Sequence, residues 1–322
     1  MTSELIKIFP AKLREKINGI DLQGGDYTEV RFRCNGPVTL LKGREEYFLH
    51  KDGGISIAAG DAYVASVNEI REMMEYISNF SVYAYEEELR QGFLTIQGGH
   101  RIGISGKVVL ADGKIKTIRN ISFLNIRIAR EKYGCGEAVL PYLLEGDRLC
   151  HTLIVSPPGC GKTTLLRDII RLVSDGGSIT GRQGDRIVFR GRKVGVVDER
   201  SELAACYHGI PQNNLGKRTD VLDGCPKVLG IELLLRSMSP EVLAVDELGG
   251  DKDMEMMEKS VYCGCTVLAT AHGEGRERWF EEKGSRRGLL TGIFERYIFL
   301  KPGELPGVVE VVCNDKGEEV RL

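Results

Sequence analysis

The stretch TLIVSPPGCGKTTLLRDIIRLV, residues 152–173, decides the fold. A short apolar strand at 152–155 leads into a glycine-containing loop. The residues after the loop have the apolar spacing of a helix that packs on a sheet. Residues 156–163 fit the phosphate-binding pattern GxxxxGK(S/T), except that Ser156 stands where a glycine is usual. Because that first position mainly shapes the turn, we interpret the stretch as a phosphate-binding loop between a strand and a helix.

The residue types of this loop suit a nucleotide and its magnesium ion. Glycines let consecutive backbone N–H groups turn toward a phosphate without a Cβ clash, and the following helix adds its positive end. We expect the Lys162 ammonium to contact the β- and γ-phosphates and the Thr163 hydroxyl to bind Mg²⁺. Cys160 is either a space-filling residue or a redox-sensitive thiol stabilised by the nearby lysine. The predicted nucleotide-binding residues are Ser156, Pro157, Pro158, Gly159, Cys160, Gly161, Lys162, Thr163 and Thr164.

In a second segment, PEVLAVDELGG, four apolar residues are followed by the acidic pair Asp246 and Glu247. A buried strand of this kind directs its terminal carboxylate toward the edge of the sheet where the phosphates would lie. We assign Asp246 to the water shell of Mg²⁺ and Glu247 to polarising the attacking water. The alternative is a pair of solvated charges at a strand end.

Two more strand-like segments end in polar residues. In KVGVVDERSEL the apolar strand ends in Asp198, Glu199 and Arg200. In GCTVLATAHG it ends in Thr270, Ala271 and His272. His272 is either a sensor of the γ-phosphate, beside the other strand ends, or a core histidine. The sequence has no NKxD-type tetrapeptide that reads guanine. These patterns favour an ATPase with its own catalytic glutamate over a simple GTPase.

The order of strand and helix patterns predicts two domains. Residues 1–130 mix half-buried strands, a hairpin at Asp112-Gly113 and a helix over 67–79, which predicts an α+β domain with about two helices. Residues 131–149, with Gly134 and Gly136, are expected to form a linker or hinge. Residues 150–322 alternate short apolar strands with helices, which is typical of an α/β domain with a predominantly parallel sheet.

Composition restricts the functional classes. Lys and Arg number 44 and Asp and Glu 46, so the net charge is −2 and any nucleic-acid surface would have to be local. No apolar run approaches the roughly 18–20 residues of a membrane span. The nine cysteines include no CxxC pair, which indicates reduced thiols and a cytoplasmic protein. The basic segment 174–193 is expected to be a solvated loop or hairpin, or alternatively a docking surface for an acidic partner.

The P-loop, the acidic strand end, the Asp-Glu strand end and the histidine strand end, in this order, resemble the RecA-like secretion and pilus-motor ATPases. There they are called the Walker A, Asp, Walker B and His boxes. SPPGCGKTTLLRDIIR, VGVVDERSELAACYHGIPQNNLGKRTDVLDGCPK and LLLRSMSPEVLAVDELGG further resemble the stage III sporulation AA family over nearly the whole chain. That resemblance implies a RecA-like P-loop ATPase domain behind a smaller α+β domain.

The resemblance also implies roles for single residues. It places nucleotide contacts on Gly159 to Thr164, and Mg²⁺ and catalytic roles on Asp246 and Glu247. It also places the Asp-box acid on Glu199 and the His-box histidine on His272. Relatives of this type form rings, typically hexamers, in which an arginine of one protomer reaches the γ-phosphate held by the next. The candidate arginines are Arg101, Arg119, Arg127, Arg200, Arg218 and Arg236.

Three functions fit these observations. The main hypothesis is a ring-forming, Mg²⁺-dependent ATPase. The family resemblance implies that it lies on the mother-cell side, energises or gates a channel to the forespore and is held at the membrane by membrane-embedded partner proteins. The second is a RecA-like nucleic-acid-dependent ATPase, against which the near-neutral charge and 7% aromatic content argue. The third is an assembly scaffold that binds ATP and barely hydrolyses it.

Overall fold

The computed structural model describes residues 4–81, 85–181, 184–281, 292–303 and 307–320. The chain divides into two compact units, residues 1–130 and residues 131–322. Each unit is described by itself below.

The first unit is built on a seven-stranded antiparallel sheet with the order β4-β3-β2-β1-β7-β6-β5. Its strands are β1 (Tyr27–Arg33), β2 (Thr39–Lys42), β3 (Glu45–Leu49), β4 (Ile55–Ser56), β5 (Phe93–Thr95), β6 (Arg101–Ala111) and β7 (Lys114–Arg127). Its helices are α1 (Glu4–Lys7), α2 (Ala11–Ile17), α3 (Val67–Ile77) and α4 (Glu86–Gln91), with a 3-10 turn at Ala59–Asp61.

Local sequence signals explain the main elements of this unit. In β1 the alternating residues Val30 and Phe32 are buried. Helix α3 begins with a capping box in which the Ser66 side chain accepts from the Glu69 backbone and the Glu69 side chain accepts from the Ser66 backbone. We expected about two helices, and the described residues contain four. Helices α1, α2 and α4 have only four, seven and six residues, too few for a helical period to stand out in the sequence.

The second unit contains a seven-stranded sheet with the order β14-β13-β15-β16-β10-β17-β18. All neighbouring strands are parallel except the β17–β18 pair at one edge. The strands of the unit are β8 (Leu144–Glu145), β9 (Arg148–Leu149), β10 (Thr152–Ser156), β11 (Gly177–Thr180), β12 (Arg186–Phe189), β13 (Val194–Asp198), β14 (Thr219–Asp223), β15 (Val242–Leu248), β16 (Thr266–His272), β17 (Arg296–Leu300) and β18 (Val309–Asn314). The helices are α5 (Leu140–Leu143), α6 (Lys162–Asp175), α7 (Lys227–Ser237), α8 (Asp251–Tyr262) and α9 (Arg276–Glu281).

Helices cover both faces of this sheet. Leu165 and Ile169 of α6 are fully buried in a core on one face, and Ile231 of α7 and Met257 of α8 are fully buried in a core on the other. All five residues of β10 and of β13 are buried, as expected for central strands of a parallel sheet. The predicted α/β class with a predominantly parallel sheet is therefore confirmed. None of the helices in the described part of the chain is long and apolar enough to span a membrane.

Residues 131–149, which we expected to form a linker or hinge, are part of the second unit. Leu140 and Leu143 are fully buried in its core. The backbone N–H of Gly136 donates to the Asp168 carboxylate of α6 at 2.8 Å. This stretch has packing partners of its own because its apolar residues face α6 and the sheet.

The basic segment 174–193 contains the end of α6 and an antiparallel hairpin of β11 and β12. Arg190 lies 2.6 Å from Glu241, and Arg192 is buried and contacts the backbone and side chain of Asp147. Arg182, which also belongs to this segment, lies outside the described residues. Two of the arginines that suggested an acidic partner therefore pair within the chain.

Candidate nucleotide site

The polar ends of four strands meet at one edge of the parallel sheet. Strand β10 pairs with β16 and places Ser156 beside His272, and β15 lies between β13 and β16. Parallel strands that share a sheet have their carboxyl ends on the same side, and ligands of open α/β sheets bind at that edge. The residues predicted from separate motifs therefore come together there.

Lys162 is buried at the first position of α6. Its Nζ donates to the carbonyl oxygens of Ser156 and Pro157, both at 3.0 Å, and lies 3.1 Å from Nδ1 of His272. Burial lowers the pKa of Lys162 from its ordinary value. None of the carboxylates in the described ranges forms an ion pair with this ammonium group, and the nearby charges of Asp246 and Glu247 offset only part of that lowering. A buried cation of this kind suits a phosphate ligand.

The loop before α6 has the open shape that a phosphate cradle needs. Gly159 has φ +78°, and a Cβ at this position would meet no atom within 4 Å. Gly161 has φ +92° and precedes the first residue of the helix. Cys160 is 6% exposed, its Sγ lies 3.8 Å from the Pro158 carbonyl, and its own carbonyl accepts from Gly307. This packing favours the space-filling role for Cys160.

Asp246 joins the loop to two neighbouring strands. Its Oδ2 accepts a hydrogen bond from the Thr163 hydroxyl at 2.7 Å, and its Oδ1 accepts one from the Thr270 hydroxyl at 2.5 Å. A hydroxyl and a carboxylate side by side are the oxygen ligands that Mg²⁺ takes beside a nucleotide. The pair Thr163 and Asp246 therefore fits the magnesium ion that we predicted for it.

Glu247 lies in a network that reaches back to the loop. Its backbone is left-handed, with φ +57°, and its N–H donates to the Thr270 hydroxyl at 2.8 Å. Its Oε1 lies 3.1 Å from Nε2 of His272, and its Oε2 accepts from Arg200 at 2.7 Å. The His272 side chain is 46% exposed and lies between Lys162 and Glu247. His272 is therefore a residue of the site edge rather than a core histidine.

The end of strand β13 differs from the ends of β15 and β16 in the contacts of its carboxylates. The Glu199 carboxylate pairs with Lys227 at 2.7 Å. The preceding residue, Asp198, is 1% exposed and accepts from the backbone N–H groups of Glu202 and Ala204, each at 2.8 Å. Burial raises the pKa of Asp198 to about 6. Asp198 therefore fixes the turn after β13, and Glu199 lies at its exposed side.

A cavity of about 410 Å³ opens next to Glu247 and His272, and Arg200 and Lys227 supply cations to its wall. Glu199 does not line this cavity, but it pairs with Lys227, which does. Sequence reasoning named Glu199, Arg200 and His272 separately, and it missed Lys227. The lysine follows Pro226 at the start of α7, where no motif indicated a function.

The candidate arginines have different surroundings. Arg200 contacts Glu247 of its own chain. Arg218 donates to the carbonyl oxygens of Ser174 and Asp175 at the carboxyl end of α6, the end away from the phosphate loop. In the first unit, the Arg101 guanidinium lies over the Phe93 ring. Arg127 lies 4.0 Å from Glu29. Arg119 of β7 is placed opposite Lys107 of β6, and Arg236 lies near the end of α7.

Solved structures of low sequence identity share this architecture. The ATPase DotB of Yersinia pseudotuberculosis matches 90% of this chain and 75% of its own, with a TM-score of 0.56 and 13% identity. The pilus retraction motor PilT with bound ADP matches 92% of this chain and 78% of its own, with a TM-score of 0.55 and 14% identity. The chain therefore has the fold of the RecA-like secretion and pilus ATPases, preceded by a smaller unit.

The sequence defines the family more narrowly. A family model described as "Sporulation stage III, protein AA" matches residues 1–320, and the chain belongs to this family. Stage III sporulation protein AA of Bacillus subtilis is 38% identical over 98% of this chain and 96% of its own. A more distant relative, the uncharacterized protein ycf45 of Porphyra purpurea, is 27% identical over 62% of this chain and 36% of its own length.

Proposed function

We propose that this protein is a Mg²⁺-dependent ATPase of the secretion-motor type that acts in sporulation. The observation that carries the proposal is the meeting of Lys162, the Thr163–Asp246 pair, Glu247 and His272 at one edge of the sheet. The fold shared with DotB and PilT and the family relation to a sporulation protein support the same conclusion.

Each residue of the site has a chemical role in this proposal. The backbone N–H groups of the loop and the buried Lys162 ammonium bind the β- and γ-phosphates of ATP, since both are hydrogen-bond donors. Thr163 directly and Asp246 through the water shell would hold Mg²⁺, which neutralises charge on the phosphates when it is bound. Glu247 accepts a proton from the attacking water, and His272 orients its carboxylate.

The proposal extends to assembly and location. We propose that copies of the chain form a hexameric ring, with a cation of one protomer facing the nucleotide of the next. The ring would lie in the mother-cell cytoplasm and energise or gate a channel between mother cell and forespore. Membrane-embedded channel proteins would hold it at the membrane. The name of the Bacillus subtilis relative supports the sporulation context.

Steady-state ATPase assays with and without Mg²⁺ test the proposal. We expect Lys162→Ala to abolish both nucleotide binding and hydrolysis, because the phosphates lose their buried cation. Glu247→Gln is expected to keep nucleotide binding and lower kcat at least about 100-fold, the usual contribution of a positioned base. Lys259→Ala, which removes an exposed ion pair with Glu232, is the control. Normal hydrolysis by Glu247→Gln would refute its assignment as the base.

A further inference from the structure

Arg200 is placed to act on Glu247 within a single chain. It lies in the turn after β13, and Glu247 is at the end of the neighbouring strand β15. Its Nη1 lies 2.7 Å from Oε2 of Glu247. The Arg200 side chain is 63% exposed and that of Glu247 is 35% exposed, so both remain reachable from solvent.

Both carboxylate oxygens of Glu247 already have a donor in this structure. Arg200 occupies Oε2, and Nε2 of His272 is 3.1 Å from Oε1. A carboxylate that polarises water must offer an oxygen to that water, and a bound guanidinium competes for the same oxygen. Each oxygen keeps a further lone pair, but the guanidinium fixes the direction of the carboxylate and draws charge from Oε2, so Glu247 is less able to act on water.

The hydrogen bonds from Lys162 through His272 to Glu247 can all form with one assignment of donors and acceptors. The Lys162 ammonium has only protons to offer, so Nδ1 of His272 accepts from it in the neutral ring. The proton of that ring then lies on Nε2, which donates to Oε1 of Glu247. A phosphate at Lys162 would draw the ammonium away from His272.

We propose that Arg200 is a positioning residue that restrains the Glu247 carboxylate in the separate protomer and so lowers its unstimulated ATP turnover. The inference rests on the proposed ATPase function. Exposed ion pairs contribute little to overall stability, so this contact can be broken without unfolding the protein. Because Arg200 is exposed, an acidic group or a phosphate brought by another molecule could withdraw it and release Glu247.

Kinetics of Arg200→Ala test this restraint, with Arg200→Lys and Lys259→Ala as comparisons. We expect kcat of Arg200→Ala to rise roughly two- to fivefold with KM unchanged, the scale set by an exposed ion pair. Arg200→Lys keeps a cation at this position and is expected to raise kcat less than Arg200→Ala does. Lys259→Ala loses an exposed ion pair elsewhere in the same unit and should not change kcat. An unchanged or lower kcat in Arg200→Ala would overturn the proposal.

Hydrogen exchange separates this inference from the proposed function. We expect the backbone amides of residues 246–250 to exchange faster in nucleotide-free Arg200→Ala than in wild type or Lys259→Ala, because Glu247 loses one of its two side-chain contacts. If no variant hydrolyses ATP but exchange increases, the proposed function fails and the restraint stands. If exchange is unchanged, Arg200 does not restrain Glu247, whatever the enzyme kinetics show.

Discussion

Thr270 connects the two acidic residues of the site through one hydroxyl group. The hydroxyl donates to Asp246 and accepts from the Glu247 backbone, and the residue is fully buried. Thr270→Val keeps the shape but leaves both groups without this partner, which costs about 1–3 kcal/mol for a buried polar group. We expect a lower melting temperature and a kcat reduced about tenfold. Thr270→Ser restores the hydroxyl, and equal defects in both variants would contradict the role of this group.

Asp198 gives the protein a dependence of stability on pH. Burial raises its pKa to about 6 in the folded state, against an ordinary value of 3.8. Between these values the folded state binds more protons than the unfolded state, so the free energy of unfolding falls as pH rises through this window. The shift corresponds to a change on the order of 3 kcal/mol.

Urea unfolding of wild type and Asp198→Asn at pH 4 and pH 7.5 measures this effect. We expect wild type to lose stability relative to the variant on going to the higher pH, because only wild type must ionise a buried carboxyl group. A stability difference that stays constant between the two pH values would show that Asp198 keeps an ordinary pKa when folded.

Single residues of the site could be predicted from sequence only where a motif fixes them to a strand end. Lys162 and Thr163 follow from the glycine loop, and Asp246, Glu247 and His272 follow because parallel strands end at the same edge. Their roles as catalytic and metal-binding residues remain predictions. The contact of Arg200 with Glu247 could not be predicted in this way. It depends on the turn that Asp198 fixes after β13 and on a side-chain rotamer, and neither leaves a periodic pattern.

At the level of elements, periodic and turn signals were informative and short elements were not. The hairpin of β6 and β7 turns at Asp112 and Gly113, with φ of +50° and +71°, as the Asp-Gly pair predicts. The helix predicted over 67–79 is α3 (Val67–Ile77). The two-residue strands β8 and β9 could not be predicted, because they are held by packing within the second unit rather than by a pattern of their own.

The loop between β10 and α6 should be more sensitive in ligand binding than in stability. An alanine at Gly159 has a backbone cost of about 1–2 kcal/mol at φ +78°, and its methyl group would enter open space in front of the loop. If phosphates occupy that space, we expect Gly159→Ala to weaken binding of a fluorescent ATP analogue at least about tenfold while the melting temperature falls by a few degrees.

Gly264→Ala is the matched control for that experiment. Gly264 has φ +84° and equally open space at its Cβ, but it precedes β16 and so lies at the opposite edge of the sheet. We expect the same small loss of melting temperature and unchanged nucleotide affinity. Equal affinity losses in both variants would show that the effect is general backbone strain rather than a collision with the ligand.

At the scale of the whole molecule, the exposed side chains of the site suggest where a second copy of the chain would bind. Glu247, His272 and Arg200 are 35%, 46% and 63% exposed, so the groups beyond Lys162 face solvent in one copy of the chain. A reaction that develops charge on a phosphoryl group benefits from additional cations and from exclusion of water. In the proposed ring, a second copy against this side would exclude water, and a cation of that copy would be attracted to the phosphates of bound ATP.

Light scattering with and without nucleotide tests this expectation on the full chain. A monomer has a mass of 35.7 kDa. We expect a non-hydrolysable ATP analogue with Mg²⁺ to shift the molar mass toward a hexamer, and Lys162→Ala to stay at its nucleotide-free mass, because it cannot hold the phosphates between subunits. Parallel titration with a fluorescent analogue establishes that the site is filled. A mass that stays at one protomer with the site saturated would contradict a ring driven by nucleotide and would leave hydrolysis as a property of the single chain.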